Sequence, residues 1–504
     1  MKLWKKLSFY GFILLSSLRC AVPAKILFLF PVHLPSHYRA FAPLIEELAI
    51  RGHQITAYTN VDLKRQKPLQ NYKEILVDAP VTPSLKNFNF AEWGNATLFV
   101  YMHDLWTILP KFVEEALQTA ELQALMHSKE SFDLIITETT FGQECLLAFG
   151  HKFQAPIINL HPLFVSPFNA QLNGLPHPFS YVPDYRLPFT DRMTFWQRTK
   201  NVALGVYELI GGNFYYLPFV QEKLMRKLFR YPGSESLPPL RELMANVSMH
   251  FVDSHPMASY VRPYSSNVIG IGGLNVKTTR KDKLPQDLQK FMDEATDGVI
   301  YFSFGSFINE KTLPPYLKDV FFETLKGLKQ RIIWKWNEEI DGADHILTRA
   351  WLPQQEILAH PNCKLFITHG GVNSLMEVIS VGVPVLGLPL FADQFFNVAY
   401  YEHIGVGLGA NTDGLTVTEF GDKINKILQT PSYKENAKRM STIFHDQPQT
   451  SLETAIYWVE YVIRHKDISE LSQDQQNMQK KLAPNFRTPE NILPWKGLHI
   501  ELTA

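Results

Sequence analysis

The stretch from residue 25 to residue 59 constrains this chain more than any other feature. KILFLF is a compact apolar run of strand length, FAPLIEELAI repeats its apolar positions at helical spacing, and HQITAYT is a second strand. Gly52 stands where the helix must close, because a residue without Cβ takes the left-handed backbone at little cost. Two strands joined through a helix run parallel, so this is a βαβ unit of a sheet covered on both faces. The rhythm recurs in FDLIIT, a helix through CLLAFGHKF, and APIINL.

A second α/β lobe opens at GVIYFSFGSF and continues through RIIWKW, KLFITHGG and VPVLGLPL. Between the two, LNVKTTRKDKLPQDLQK is polar and lysine-rich, the text of an exposed linker over 274–290. Residues 165–235 break the rhythm with Pro and aromatics, which predicts an insertion that lines a pocket or rests on a membrane surface. The expected division is a leader over 1–24, an N-terminal lobe over 25–273, the linker, a C-terminal lobe over 291–440, helices over 441–466 and a polar tail over 467–504. Two such lobes leave a cleft between the carboxyl ends of their sheets, where sheets of this kind bind ligands.

Composition excludes some classes. Lys plus Arg equals Asp plus Glu at 49 each, so no net field draws nucleic acid or an anionic membrane. The N-terminus carries three lysines before LSFYGFILLSSL and the small residues CAVPA, the pattern of a secretory signal peptide cut near Ala24. Secretory entry fits two glycosylation acceptors, Asn95-Ala-Thr97 and Asn246-Val-Ser248. Cys145 and Cys363 are too few for a disulfide framework. AIYWVEYVI, the most apolar C-terminal run, is interrupted by Glu460 and falls short of the roughly 18–20 apolar residues of a membrane span. A product of the secretory lumen or beyond, without a C-terminal anchor, is expected.

KLFITHGGVNSLMEVIS reads as strand, turn and helix, closed by Gly382 before Pro384. Glycines let the backbone approach a ligand, and free N–H groups at a helix start favour an anion by roughly 0.3–1 kcal/mol per charge. His369 and Ser374 can donate to the same phosphate oxygens. Glu377 follows Asn373 by one helical turn and can accept from a vicinal diol, as a ribose-binding acid does. Strand, turn and helix together describe a seat for a nucleoside diphosphate.

The run from Phe366 to Gln394, with Glu377, Pro384, Pro389 and a terminal Asp393-Gln394, resembles the signature of the UDP-glycosyltransferases at every fixed position. The resemblance covers nearly the whole mature chain and is to the animal, arthropod-type members that enter the endoplasmic reticulum. It implies a two-lobed GT-B fold of Rossmann-like domains, with the UDP-sugar on the C-terminal lobe and the acceptor on the N-terminal one. It also implies inverting transfer to a small lipophilic molecule. Carried over by residue, Trp351 stacks on the uracil and Gln354 bonds its edge; Gln355 stands where the family often has Asn. Ser306, His369, Gly371, Asn373 and Ser374 meet the diphosphate, Glu377 takes the ribose hydroxyls, and Asp393 and Gln394 bond the transferred sugar.

Transfer to a hydroxyl needs a base whose pKa lies near working pH, which suits histidine. The first strand ends in FPVHLPSHYRAF, and the family's base is the His of a Ser-His pair opening the first long helix, here Ser36-His37. His33 is expected in the loop. The family's orienting acid ends a later strand, which points to Glu138 in FDLIITETTF, a Glu where many relatives have Asp. Asp133 precedes that strand and is expected to be structural. With no Asp-x-Asp, no Cys/His metal spacing and no Gly-x-Ser-x-Gly elbow, no metal or other cofactor is expected.

Family members that use UDP-glucuronate carry an Arg some twenty residues before a Gly-Gly pair. Counting back from Gly272-Gly273 reaches Asp253, which favours UDP-glucose, with UDP-glucuronate as the alternative. A nicotinamide oxidoreductase should show Gly-x-Gly-x-x-Gly after the first strand, and FPVHLPSH does not. A non-catalytic sugar-nucleotide or lipid carrier could keep the His-Gly-Gly seat, but would have little reason to keep both His37 and Glu138.

Overall fold

The computed structural model describes residues 23–63, 65, 68–78, 97–277, 283–305, 313–338 and 343–465. Most of the expected signal peptide, Asn95, Ser306, part of the linker and the polar tail lie outside these residues.

Two parallel sheets organise the chain. The first runs β3-β2-β1-β4-β5-β6-β7, built from β1 (Lys25–Phe30), β2 (Gln54–Thr59), β3 (Tyr72–Leu76), β4 (Leu134–Glu138), β5 (Ile157–His161), β6 (Met249–Val252) and β7 (Val268–Gly270). The second runs β10-β9-β8-β11-β12-β13, from β8 (Val299–Ser303), β9 (Arg331–Lys335), β10 (Ile346–Arg349), β11 (Cys363–Thr368), β12 (Val385–Gly387) and β13 (Gly407–Gly409). Each sheet therefore starts in its middle, grows one way for two strands and then reverses. The reversal leaves a crevice beyond the carboxyl ends of β1 and β4, and another beyond β8 and β11, the switch points at which doubly wound sheets bind ligands. The α/β, two-lobed architecture expected from the sequence is the one observed.

Helices cover both faces of each sheet. Pro35–Ile50 starts with Pro at its first position, where the missing N–H costs nothing, and buries Phe41, Leu44, Ile45 and Leu48 against β1 and β2. Gly52, at φ +96°, releases the chain into β2. In the second lobe Trp334 stacks on Phe302 at 4.9 Å and fills the space between β9, β8 and the Pro315–Lys326 helix. Burying each such side chain stabilises the fold by about 1.5–3 kcal/mol.

The joining segments differ from a simple two-lobe split. The last residues of the expected linker open the Gln286–Asp293 helix, whose Leu288 and Met292 are buried in the second lobe. The Pro431–His445 helix packs on Val372–Val381, whereas Ser451–Arg464 returns to the first lobe and buries Ile456, Val459 and Val462 beside the Pro35–Ile50 helix. The 165–235 insertion is helical over Phe195–Gly211 and continues as a π-type stretch over Gly212–Gln221. Cys145 and Cys363 are both buried thiols, one in each lobe. No helix among the described residues is long and apolar enough to cross a membrane.

Candidate active site

The first switch point brings a histidine and a glutamate together from 101 positions apart. β1 and β4 are neighbours, with Leu29 opposite Thr137, so the turn after β1 and the last residue of β4 reach the same crevice. His37 lies in the first turn of the Pro35–Ile50 helix, and its Nδ1 is 3.0 Å from both carboxylate oxygens of Glu138. Glu138 is 1% exposed, and the Thr140 hydroxyl also donates to its Oε1 at 2.6 Å. An ionised carboxylate only accepts, so Nδ1 carries the proton and the lone pair of Nε2 is left to take another.

The other sequence candidates are engaged elsewhere. His33 sits in the loop after β1 with Nδ1 2.8 Å from Asn60 Oδ1. Asp133 lies at the opposite end of β4 and accepts from the Lys25 N–H at 2.9 Å. Phe141, held at φ +56°, sets its ring 5.1 Å from that of His37 and walls one side of the base.

At the second switch point β11 ends in Thr368, and His369-Gly370-Gly371 turns the chain into the Val372–Val381 helix. His369 occupies a slot between two glycines. A Cβ on Gly305 would come within 2.8 Å of its Cε1, and one on Gly371 within 2.7 Å of its Nε2. Its Nδ1 is buried without a hydrogen-bond partner. Burial, with the Lys335 ammonium nearby, lowers the His369 pKa to about 4, so the ring is neutral at physiological pH. Lys335 itself donates to the Gly305 carbonyl. No side chain caps the Val372–Val381 helix, and Gly382, at φ +68°, ends it.

Along that helix the side chains divide. Asn373 Nδ2 donates across the cleft to the Ser36 carbonyl at 3.2 Å, one residue from the base, and its Oδ1 is buried and unpartnered. Ser374 is buried and accepts from Gln354 at 3.4 Å. Glu377 receives the Gln354 amide at 2.5 Å and the Gln355 amide at 3.0 Å. Burial raises its pKa to about 7 in spite of those two donors. Gln355 also donates to the Asn275 carbonyl at 2.8 Å, tying the start of the linker to the site. Trp351 is 73% exposed at the rim.

Asp393 and Gln394 begin the next helix, Gln394–His403. Burial raises the Asp393 pKa to about 6, opposed by the Asn397 amide, which donates at 2.6 Å, and by the nearby His37. The Gln394 side-chain oxygen holds its own loop, accepting from the N–H groups of Leu390 at 2.8 Å and Phe391 at 3.1 Å.

Sequence reasoning placed His37, Glu138 and the His-Gly-Gly helix at the cleft but missed several neighbours. Asp253, just beyond β6, is 4% exposed with an unpartnered Oδ2. Burial raises its pKa to about 7 against a hydrogen bond from the Gly273 backbone, with His37 and Asp393 nearby. Sequence weighed it only as an acid that would repel a sugar carboxylate, not as a neighbour of the base. Beyond Phe141 a pocket extends into the first lobe between Trp106, Phe164, Phe168 and Tyr185, with Glu144 and Tyr216 also on its lining. Glu138 came from the family's pattern, which offers no counterpart for residues brought in by the insertion.

The chain is similar to known proteins over most of its length. The sequence pattern described as "UDP-glucoronosyl and UDP-glucosyl transferase" matches residues 25–479. UDP-glycosyltransferase UGT4 of Dactylopius coccus is 34% identical over 455 residues, 90% of this chain and 88% of the relative. UDP-glucuronosyltransferase 2C1 of Oryctolagus cuniculus is 30% identical, covering 86% of this chain and 87% of the relative. Among solved structures, a UDP-glucose: anthocyanidin 3-O-glucosyltransferase in complex with UDP superposes with a TM-score of 0.56 at 16% identity, over 87% of this chain and 98% of that one.

Proposed function

The chain belongs to the UDP-glucoronosyl and UDP-glucosyl transferase family, and from that premise we propose that it moves a hexose, glucose rather than glucuronate, from a UDP-sugar to a hydroxyl of a small lipophilic acceptor. The observation that carries the reading is the His37–Glu138 pair at 3.0 Å, held across the cleft from the Val372–Val381 helix. His37 Nε2 takes the acceptor's proton while the acceptor oxygen bonds to the anomeric carbon. The bond from that carbon to the UDP oxygen breaks on the opposite face, so the configuration inverts. Glu138 stabilises the imidazolium that forms. The departing diphosphate meets the uncapped helix start and His369, with Ser374 beside them; Ser306, expected to share in this contact, lies outside the described residues.

Glucose is favoured by the carboxylates around the base. Glu138 bonds His37, and the buried Asp253 and Asp393 lie close enough to interact with it electrostatically, so a uronate would bring a further acid into a buried acidic setting. The lipophilic acceptor follows from the aromatic pocket beyond Phe141. The proposed lobes are 25–273 and 291–440, with the second extended back through the Gln286–Asp293 helix and Ser451–Arg464 returned to the first.

A lipid surface enters the same reading. The Phe195–Gly211 helix exposes Phe195, Trp196, Val202, Val206 and Ile210, and Phe214 continues the ridge at 61% exposure. By helical spacing Arg198 and Lys200 flank it on either side, as on helices that lie in a membrane interface. The opposite face supplies Glu208 to the acceptor pocket. Flotation with anionic vesicles tests this contact, and a chain left at the bottom of the gradient argues against it.

The decisive experiment offers UDP-glucose, UDP-galactose and UDP-glucuronate in turn with a panel of phenols, steroids and flavonoids, with and without EDTA. Transfer from UDP-glucose that EDTA leaves intact is expected. A strict need for Mg²⁺ or Mn²⁺, or faster transfer from UDP-glucuronate, would overturn the corresponding part.

A further inference from the structure

The pocket beyond Phe141 holds a carboxyl group for which sugar transfer has no task. Glu144 follows the Thr140–Gly142 turn and is 3% exposed. The Tyr216 hydroxyl donates to its Oε2 at 2.5 Å. Gln221 Nε2 in turn donates to the Tyr216 oxygen at 3.1 Å and to the Gly142 carbonyl at 2.8 Å, while Gln221 Oε1 accepts from the Cys145 N–H at 3.2 Å. The chain has a direction. Tyr216 has one proton, and it points at Glu144. The Glu144 carboxyl is therefore the end of the chain, and it borders the pocket. A carboxylate offers about four acceptor positions, and Tyr216 with the residue's own backbone N–H occupies two.

The rest of the lining narrows what such a group can recognise. Trp106, Phe168 and Tyr185 give flat apolar walls. The cation on the lining, Arg186, is held by two carboxylates, Asp184 at 2.6 Å from its Nε and Glu208 at its Nη2. With both carboxylates on one guanidinium, that cluster has no positive charge to offer an anionic ligand. Thr140, Ser166 and Asn169 are the other polar side chains there, and a flat molecule carrying an O–H or N–H donor finds in Glu144 a buried carboxyl partner, where an unmatched polar group is costly.

We propose that Glu144 is an acceptor-recognition residue, taking a hydrogen bond from a second hydroxyl of a flat lipophilic acceptor, away from the hydroxyl that His37 deprotonates. This rests on the reading of the cleft as a transferase site and names the acceptor class more narrowly, as planar diols rather than planar alcohols with one hydroxyl.

The test compares 2-naphthol with naphthalene-2,6-diol. Their affinities are measured by calorimetry on the full chain saturated with UDP. Two equivalent hydroxyls give the diol only a statistical advantage, and the proposal expects it to bind about tenfold tighter. Glu144→Leu combined with Tyr216→Phe leaves no orphaned hydroxyl and should bring the preference down to the statistical level. Glu144→Gln, which keeps the bond from Tyr216, should weaken the preference without abolishing it. UDP affinity, measured on the same samples, checks that each variant is folded. A wild-type chain that binds the two ligands alike, or a preference that survives both variants, would overturn the proposal. Because the readout is binding, a preference that depends on Glu144 without transfer from any UDP-sugar would sink the transferase reading and leave this one standing.

Discussion

At the β1/β4 switch point the polar groups satisfy one another, while at β8/β11 several have no partner within the chain. His37, Glu138 and Thr140 form a closed set, with each carboxylate oxygen of Glu138 hydrogen-bonded. In the other crevice His369 Nδ1 and Asn373 Oδ1 are buried and unpartnered, and Glu377 is held as a carboxyl whose pKa is pushed to about 7. The same strand order thus supports two kinds of site. A base has to be oriented before its substrate arrives, so its partner is part of the protein. A nucleotide seat can leave its polar groups to the ligand, and the energy of satisfying them then appears as affinity.

The largest effect should come from breaking the closed set. His37→Ala is expected to slow transfer by about 10²–10⁴-fold while UDP binds almost as before, because the base belongs to the other lobe. Glu138→Ala should cost a comparable or smaller factor, and the double variant should be little worse than His37→Ala alone. Multiplicative losses in single-turnover assays would show that Glu138 acts on its own. Full activity in His37→Ala would move the base to another residue, with His33 next in line despite its bond to Asn60.

The open seat should respond differently, through affinity. Glu377→Ala removes a charge-assisted acceptor and should weaken UDP binding by roughly 1.5–3 kcal/mol, read by calorimetry. The amides that now bond Glu377, from Gln354, Gln355 and, at 3.4 Å, Asn275, would be left without it, so thermal unfolding should be followed on the same variant. Unchanged UDP affinity would take Glu377 off the ribose and leave it as a partner for the two glutamines.

The contrast between the sites also marks what was legible in the sequence. Strand ends and turns are local, so β1, β4, β8 and β11 could be read from apolar runs and the His369 turn from its glycines, whereas His37 and Glu138 were identified through the family resemblance, His33 being the histidine nearer the end of β1. The short edge strands β3, β7, β10 and β13 carry weaker runs, and their pairing depends on partners far along the chain. Asn373 illustrates the limit within the site itself. Its helix position was clear, but its bond to the Ser36 carbonyl depends on how two lobes meet, and nothing in either segment encodes the other. Glu144 and Tyr216, 72 positions apart, met through an insertion whose sequence shows only aromatics and Pro.

Asp253 offers the smallest and most particular test, because it stands near the closed set yet behaves like the open one. Its Oδ2 is buried without a partner, and burial raises its pKa from the usual carboxylate range to about 7. The raised value means that the folded chain keeps a proton which the unfolded chain has already lost. Between the unfolded pKa, near 4, and about 7, the folded state therefore binds more protons, and stability falls as pH rises through that window. Asp253→Asn removes the titration. The variant should melt like the wild type near pH 4 and above it at pH 8, by about 1–2 kcal/mol once relaxation and water access reduce the full cost of the shift. An equal difference at both pH values would mean that burial does not shift Asp253, which would then be ionised at neutral pH and add its full charge to the case against a uronate donor.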